Sequence, residues 1–251
     1  MIDALFQNIG FPQACHLGKK VFKKMFAENA FLTAADKKSL QQDVEGIIWQ
    51  YTLKPATIPI SSYEDVEREY LEIAVLEIAM RNRKSCNRLA EVVHRAIPYP
   101  LLLIFTYNNE CCLSVAPKRF SKSEKGVIVA DEHFITDWIN LQSPADIDQS
   151  FLDSLTLNGL PHTHFLAFYS AWLDRFIAYD CAQLSGLFRV ESKATDPEER
   201  RQRLASCHEL ELNIAELRSM LKKESQFNRK VELNTRIKNT EKKLRQLAAT
   251  L

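Results

Sequence analysis

Three carboxylates, Glu69, Glu72 and Glu77, fall in one apolar stretch, "REYLEIAVLEIAM", residues 68–80. Carboxylates on a strand are a common way to hold a divalent cation against a phosphodiester, and a Glu-x-Lys pair would complete a nuclease-type set. Here Ala79 stands where that lysine belongs, and Arg81 and Lys84 lie beyond the stretch. No catalytic residue is therefore assigned: these carboxylates read as facing solvent or pairing with nearby cations, and Glu72 and Glu77 are catalytic candidates only in the alternative of a degenerate nuclease-like core. Histidines cluster once, as His162 and His164 in "PHTHF". On a helix, residues i and i+2 point apart, so the pair could ligate a metal only from a loop. No metal site is assigned. Cys111 and Cys112 are adjacent in a strand pattern and alternate faces. With Cys15, Cys86, Cys181 and Cys207 they read as buried, reduced thiols. The six glycines are too dispersed for a phosphate-cradling loop, so no nucleotide or other cofactor is expected. No nucleophile elbow supports a Ser-His-Asp set.

The cations are distributed less evenly than the formal net charge of +1 suggests. Residues 197–251 hold 13 Lys/Arg against 8 Asp/Glu, and the first 196 residues hold 20 against 24. In "HLGKKVFKKMFAE", residues 16–28, Val21, Phe22, Met25 and Phe26 fall at helical spacing. Lys19, Lys20, Lys23 and Lys24 would occupy the other face, as a solvated surface or as phosphate contacts. Lys222, Lys223, Arg229, Lys242 and Lys243 are the corresponding candidates in the tail. Nucleic acid bound by such residues alone would be held nonspecifically and with strong salt dependence.

The elements that must position these residues are legible in outline. Thr33 and Asp36 have capping spacing. From there Leu40, Val44, Ile47, Ile48 and Tyr51 repeat at helical intervals until Pro55 forbids continuation. "ATIPI" then reads as an edge strand. Trp49 and Tyr51 fall at this helix-to-strand corner, as packing aromatics or as a stacking platform beside Lys54. Residues 68–80 suit a central strand, 84–96 a helix, and 101–119 a hairpin turning at Asn108-Asn109. "GVIVADEHFITDWI" is a further strand. Phe165, Phe168, Trp172, Phe176 and Tyr179 line one face of a helix over 163–187, widened by Leu166, Leu173, Ile177 and Leu184. A charged linker then leads to Asp196 at a cap position and Pro197 at a first helical position. Cys207, Leu210, Ile214, Leu217 and Leu221 form one seam, and Ile237, Thr240, Leu244, Leu247 and Leu251 a second. The two are out of heptad phase, which predicts a helical hairpin, with a continuous helix carrying a stutter as the alternative. The expected fold is α+β: a mixed or mostly antiparallel sheet of about four or five strands with packed helices. The body would span 1–191, with the linker and hairpin over 192–251.

The stretches "LGKKVFKK", "WQYTLKPATI", "EREYLEIAVLEIA" and "IPYPLLLIF", in this order, resemble domain-of-unknown-function family 4391. The resemblance spans residues 12 to 190 and extends into the helical tail. It carries no catalytic residues. It implies a bacterial or archaeal protein of the kind found beside helicases and DNA methyltransferases in defence-type gene clusters. The expectation is thus a non-enzymatic accessory subunit that binds a larger partner, a helicase or methyltransferase, and self-associates or touches nucleic acid through 197–251. The alternatives are a divergent metal-dependent nuclease and a coiled-coil adaptor unrelated to DNA. "MIDALFQNIGF" is too short and too acidic for a signal peptide, and no apolar run reaches bilayer length, so a cytoplasmic location is expected.

Overall fold

A computed structural model describes residues 2–29, 32–190 and 197–251. Asp196 and most of the charged linker lie outside them. The chain divides into two compact units, Met1–Phe176 and Ile177–Leu251. In the first, α1 (Ile2–Ile9), β1 (His16–Lys20), α2 (Lys23–Asn29) and α3 (Ala34–Gln42) precede the long strand β2 (Val44–Leu53). A short hairpin of β3 (Tyr63–Glu64) and β4 (Glu69–Tyr70) leads to β5 (Ile73–Met80), α4 (Cys86–Ala96) and β6 (Leu101–Tyr107). Then follow β7 (Glu110–Val115), β8 (Lys118–Phe120), β9 (Ile128–Ala130), β10 (Phe134–Ile135), β11 (Ile139–Asn140) and α5 (Asp146–Ser154). Helix α6 (Phe165–Ser185) crosses from the first unit to the second, which continues with α7 (Pro197–Lys223) and α8 (Phe227–Ala248).

The fold is α+β. Its mixed sheet has the order β1-β2-β5-β6-β7-β10, with β11 also on β7. The parallel β5–β6 pair is joined through α4, because parallel neighbours need a crossover. The other pairs in this sheet are antiparallel. Ala74, Leu76 and Ile78 of β5, with Leu103 and Phe105 of β6, turn one face toward Leu40 of α3 and Leu89, Ala90 and Val93 of α4. On the other face Tyr51 packs against Phe6 and Phe11, and Phe11 meets Trp172 edge-on. The hairpin turn stands where expected, with Asn108 at φ 52°.

Two expected helices are corrected. Residues 44–53 are strand, and α3 stops at Gln42. Irregularities between Val44 and Gly46, and between Trp49 and Tyr51, each add a residue to β2 against β5. They place Val44, Ile47, Trp49 and Thr52 on one face, at spacings of three, two and three, and so imitate a helix. Likewise His16–Lys20 is strand, with a register shift at its middle and Gly18 at φ +61°, where a Cβ would come 2.9 Å from the His16 ring. Phe22 and Met25 are exposed and only Phe26 is buried, so the proposed apolar stripe is not formed. "ATIPI" forms a turn, with Ile58 and Ile60 buried. The stretch from Gly126 to Ile139 is broken into β9, β10 and β11.

Helix ends in the body are closed by side chains of opposite character. At the start of α3, Thr33 Oγ1 accepts from the Asp36 N–H at 3.1 Å and Asp36 Oδ2 accepts from the Thr33 N–H at 3.0 Å. The same carboxylate takes two 2.8 Å bonds from Arg88 of α4, which holds it well below the usual carboxylate range. The exposed carbonyls at helix C-termini are met by cations. Arg81 donates to Gln41 O (3.2 Å) and Val44 O (3.1 Å) after α3, and Lys23 also reaches Val44 O. Lys118 donates to His94 O and to Ile97 O (2.7 Å) at the end of α4. Arg175 donates to Ser154 O (2.6 Å) after α5, and to Gly159 O (3.1 Å).

In the second unit Ile214, Leu217, Leu233 and Ile237 form an apolar cluster between α7 and α8, flanked by Leu221 and Leu244. This is the expected helical hairpin. Arg218 crosses it to Glu241 at 2.8 Å. Glu224 closes the turn, accepting from the N–H groups of Ser225 (2.8 Å) and Gln226 (2.9 Å) just ahead of α8.

Candidate functional site

The strand carboxylates are kept apart. Glu77 lies on β5 opposite Ile48, with its carboxylate accepting from Gln50 Nε2 at 2.6 Å. Glu72 is half-buried just before β5, and Glu69 belongs to β4. At about 3.3 Å per residue, Glu72 and Glu77 are separated by roughly 16 Å, and their positions differ by an odd number, so they fall on opposite faces. Among the described residues, no three His, Cys, Asp or Glu side chains come together in a geometry that could hold a metal ion. His162 and His164 serve the backbone instead: His162 Nε2 is 3.1 Å from Leu157 O, and His164 Nδ1 accepts the Ala167 N–H at 3.1 Å. His164 thereby caps the start of α6, as Ser or Asp does elsewhere.

All six cysteines are free and buried. Cys111 and Cys112 do point to opposite faces. Cys112 lies 3.6 Å from Cys86, sulfur to sulfur, within the core under α4. The hydrogen bond to Cys112 raises the Cys86 pKa, and burial adds to it, so the thiolate needed for chemistry is disfavoured.

A group of buried polar side chains that sequence spacing could not reveal lies between α4 and the far strands. His94 Nε2 is 3.1 Å from Ser114 Oγ, within nucleophile–base reach. Both are buried, with Ser114 fully so, and His94 Nδ1 has no hydrogen-bond partner among the described residues. No carboxylate orients His94 among the described residues, and the Ser114 hydroxyl is buried, so the pair packs α4 against β7. Lys118, also buried, donates to the His94 carbonyl, and burial pushes its pKa down to about 7. Its backbone N–H donates to the Tyr70 hydroxyl at 2.9 Å, while Tyr169 Oη bonds Leu101 O at 2.7 Å and the Ala116 N–H at 2.9 Å. The His133 ring lies 6.2 Å from His94 and bonds Asn87 Oδ1 at 2.6 Å. Burial drives both histidine pKa values down, that of His94 far down, with Lys118 and His133 adding to the effect on His94.

The basic candidates separate into two sets. Lys19 and Lys20 are exposed on β1, opposite Trp49 and Ile48. Lys23 is engaged at the end of α3, and Lys24 lies beside it on α2, so the four lysines do not share a helix face. Trp49 is half-buried against the core, bonds Thr52 Oγ1 at 2.8 Å, and meets the partly exposed Tyr99 edge-on at 6.3 Å. It belongs to the sheet, and does not tie a helix to it. In the hairpin, Lys222, Lys223, Arg229, Lys242 and Lys243 are all exposed, and of these only Arg229 has an ion-pair partner among the described residues, Glu224 at 3.9 Å. Met220, Phe227 and Val231, near the hairpin's bend, are exposed as well, Phe227 by 77%.

Among the described residues, no helix is long and apolar enough to cross a membrane. No curated protein and no solved structure matches the chain. A family model, "Domain of unknown function (DUF4391)", matches residues 9–244, nearly the full length, and the chain belongs to that family.

Proposed function

We propose that this chain is a non-enzymatic accessory subunit that docks on a larger partner through its C-terminal hairpin. The observation that carries the reading is the apolar tip. The leucine-type seam of α7 and α8 is already satisfied between the two helices, yet Met220, Phe227 and Val231 remain exposed around the bend. Large apolar side chains grouped at the end of a polar arm mark a protein contact more often than a solvated surface. The body is consistent with a scaffold: Arg81, Lys118 and Arg175 are engaged with carbonyls at helix ends, and its carboxylates are dispersed. A helicase or methyltransferase of a defence- or restriction-type system is the partner suggested by the gene neighbourhoods associated with the family. Self-association through the same arm is the alternative use of the tip.

The test is affinity capture of the tagged full-length chain from its native host, beside a Phe227→Ser/Val231→Ser variant. One larger protein is expected in stoichiometric amount with the natural sequence, and its loss is expected with the variant. Recovery of the same protein by both chains, or of none by either, would remove the tip from the account.

A further inference from the structure

The outward side of α8 has a pattern that tip docking does not use. Asn228, Thr235, Asn239 and Gln246 follow one another at spacings of seven, four and seven, which return to the same side of an α-helix. All four are exposed, on the side away from the Leu233–Ile237–Leu244 seam. Cations flank this amide and hydroxyl ridge. On one side are Lys238, Lys242 and Arg245; on the other are Arg236 and Lys243. All five are exposed, and none makes an ion pair among the described residues. The acidic residues of the helix are few: Glu232, and Glu241, which is engaged by Arg218.

We propose that α8 binds duplex DNA by lying in the major groove, with its two cation rows on the two phosphate backbones and its amide ridge toward the base edges. The dimensions agree. A helix with its side chains is about 10–12 Å across, and the B-form major groove is about 12 Å wide. From Arg236 to Arg245 the rise is roughly 14 Å, about four base-pair steps. The chemistry also selects among polyanions. A protein partner would need an apolar centre to the contact, and protein interfaces are depleted in lysine. This face has neither a second apolar seam nor aromatic side chains below Val231, so phosphates suit it better than an acidic protein. Asn and Gln are the side chains that pair bidentately with adenine, while Arg and Lys serve the backbone. The sequence alone suggested only nonspecific contact; the ridge adds a means of reading bases.

This proposal stands apart from partner docking, since the tip variant leaves the five cations in place. The test is fluorescence anisotropy with full-length protein and labelled 20-base-pair duplexes of one sequence, as DNA and as RNA, across 25–200 mM salt. DNA binding is expected to weaken steeply with salt. In Lys238→Gln/Lys242→Gln/Arg245→Gln the salt slope should fall by about three, with affinity at least about tenfold lower at low salt. The charge-matched body variant Lys37→Gln/Lys38→Gln/Lys125→Gln should bind as the natural chain does. RNA of the same sequence should bind about tenfold more weakly, because its major groove is too narrow for the helix. Selection from a random duplex pool should enrich a motif that Asn239→Ala/Gln246→Ala loses. No binding to DNA, binding insensitive to the α8 substitutions, equal affinity for both duplexes, or tighter binding to anionic vesicles or polyglutamate would each overturn it.

Discussion

Trp172→Ala is expected to cost about 3–5 kcal/mol, the range for truncating a buried aromatic, whereas Trp49→Ala should cost about half as much. Trp172 is fully buried. Its ring centroid lies 5.0 Å from Phe168 and 6.4 Å from Phe11, and its Nε1 donates to Leu155 O at 3.2 Å. Truncation would leave a cavity under the sheet and an unpaired carbonyl at the end of α5. Trp49 keeps one edge in solvent, so less apolar area returns to water when it is removed. Urea unfolding of the two variants compares them directly. Equal losses would show that Trp49 is as deeply packed as Trp172; a loss under about 1 kcal/mol for Trp172→Ala would contradict the packing described.

Acidification from pH 7 to pH 5 is expected to remove about 2 kcal/mol of stability through His94. Its folded pKa lies well below the ordinary value, first by burial and then by the positive charge of Lys118 and His133. Below about pH 6.5 the unfolded chain takes up a proton that the folded chain refuses, so stability falls as pH falls. His133 acts in the same direction. Lys118 extends the trend upward: with its pKa near 7 when folded, the unfolded chain holds the extra proton between about pH 7 and 10, and stability rises with pH there. The low pKa of Asp36 matters only in more acidic solution, where the unfolded carboxylate begins to titrate. Urea midpoints at pH 5, 6 and 7, beside His94→Gln, isolate the effect. The variant retains a partner for Ser114 and does not titrate, so its slope should be much flatter. A natural chain with constant stability over this range, or an unchanged slope in the variant, would contradict the assignment.

How far the sequence could be read depends on whether periodicity was left intact. The Asn108 turn, the α4 crossover and the two hairpin helices follow from unbroken patterns. Strand β2 did not, because its two irregularities turned alternation into intervals of three. The compensating signal was composition: Ile47, Ile48, Trp49, Tyr51 and Thr52 are β-branched or aromatic, which favours a pleated surface over a helix. The same disguise joined β1 to α2 and put four lysines on a face that does not exist. The His94–Ser114–Lys118 group was invisible for a different reason. Its members come from α4, β7 and β8, and only the docking of α4 on the sheet brings them together. The sequence leaves His164 with metal ligation only as a conditional loop role and no site assigned, yet its position one residue before α6 suits a cap, a role that histidine seldom fills. On α8, the cations were visible singly, but the ridge between them acquires meaning only once α7 fixes which side faces outward.

The central claim is that this fold binds and does not cut. The most direct measurement incubates the purified chain with single- and double-stranded DNA and RNA in the presence of Mg²⁺ or Mn²⁺ and follows strand integrity. Intact substrates are predicted with either metal, for the natural chain and for Glu77→Gln alike. Metal-dependent cleavage by the natural chain that disappears in Glu72→Gln or Glu77→Gln would contradict the account.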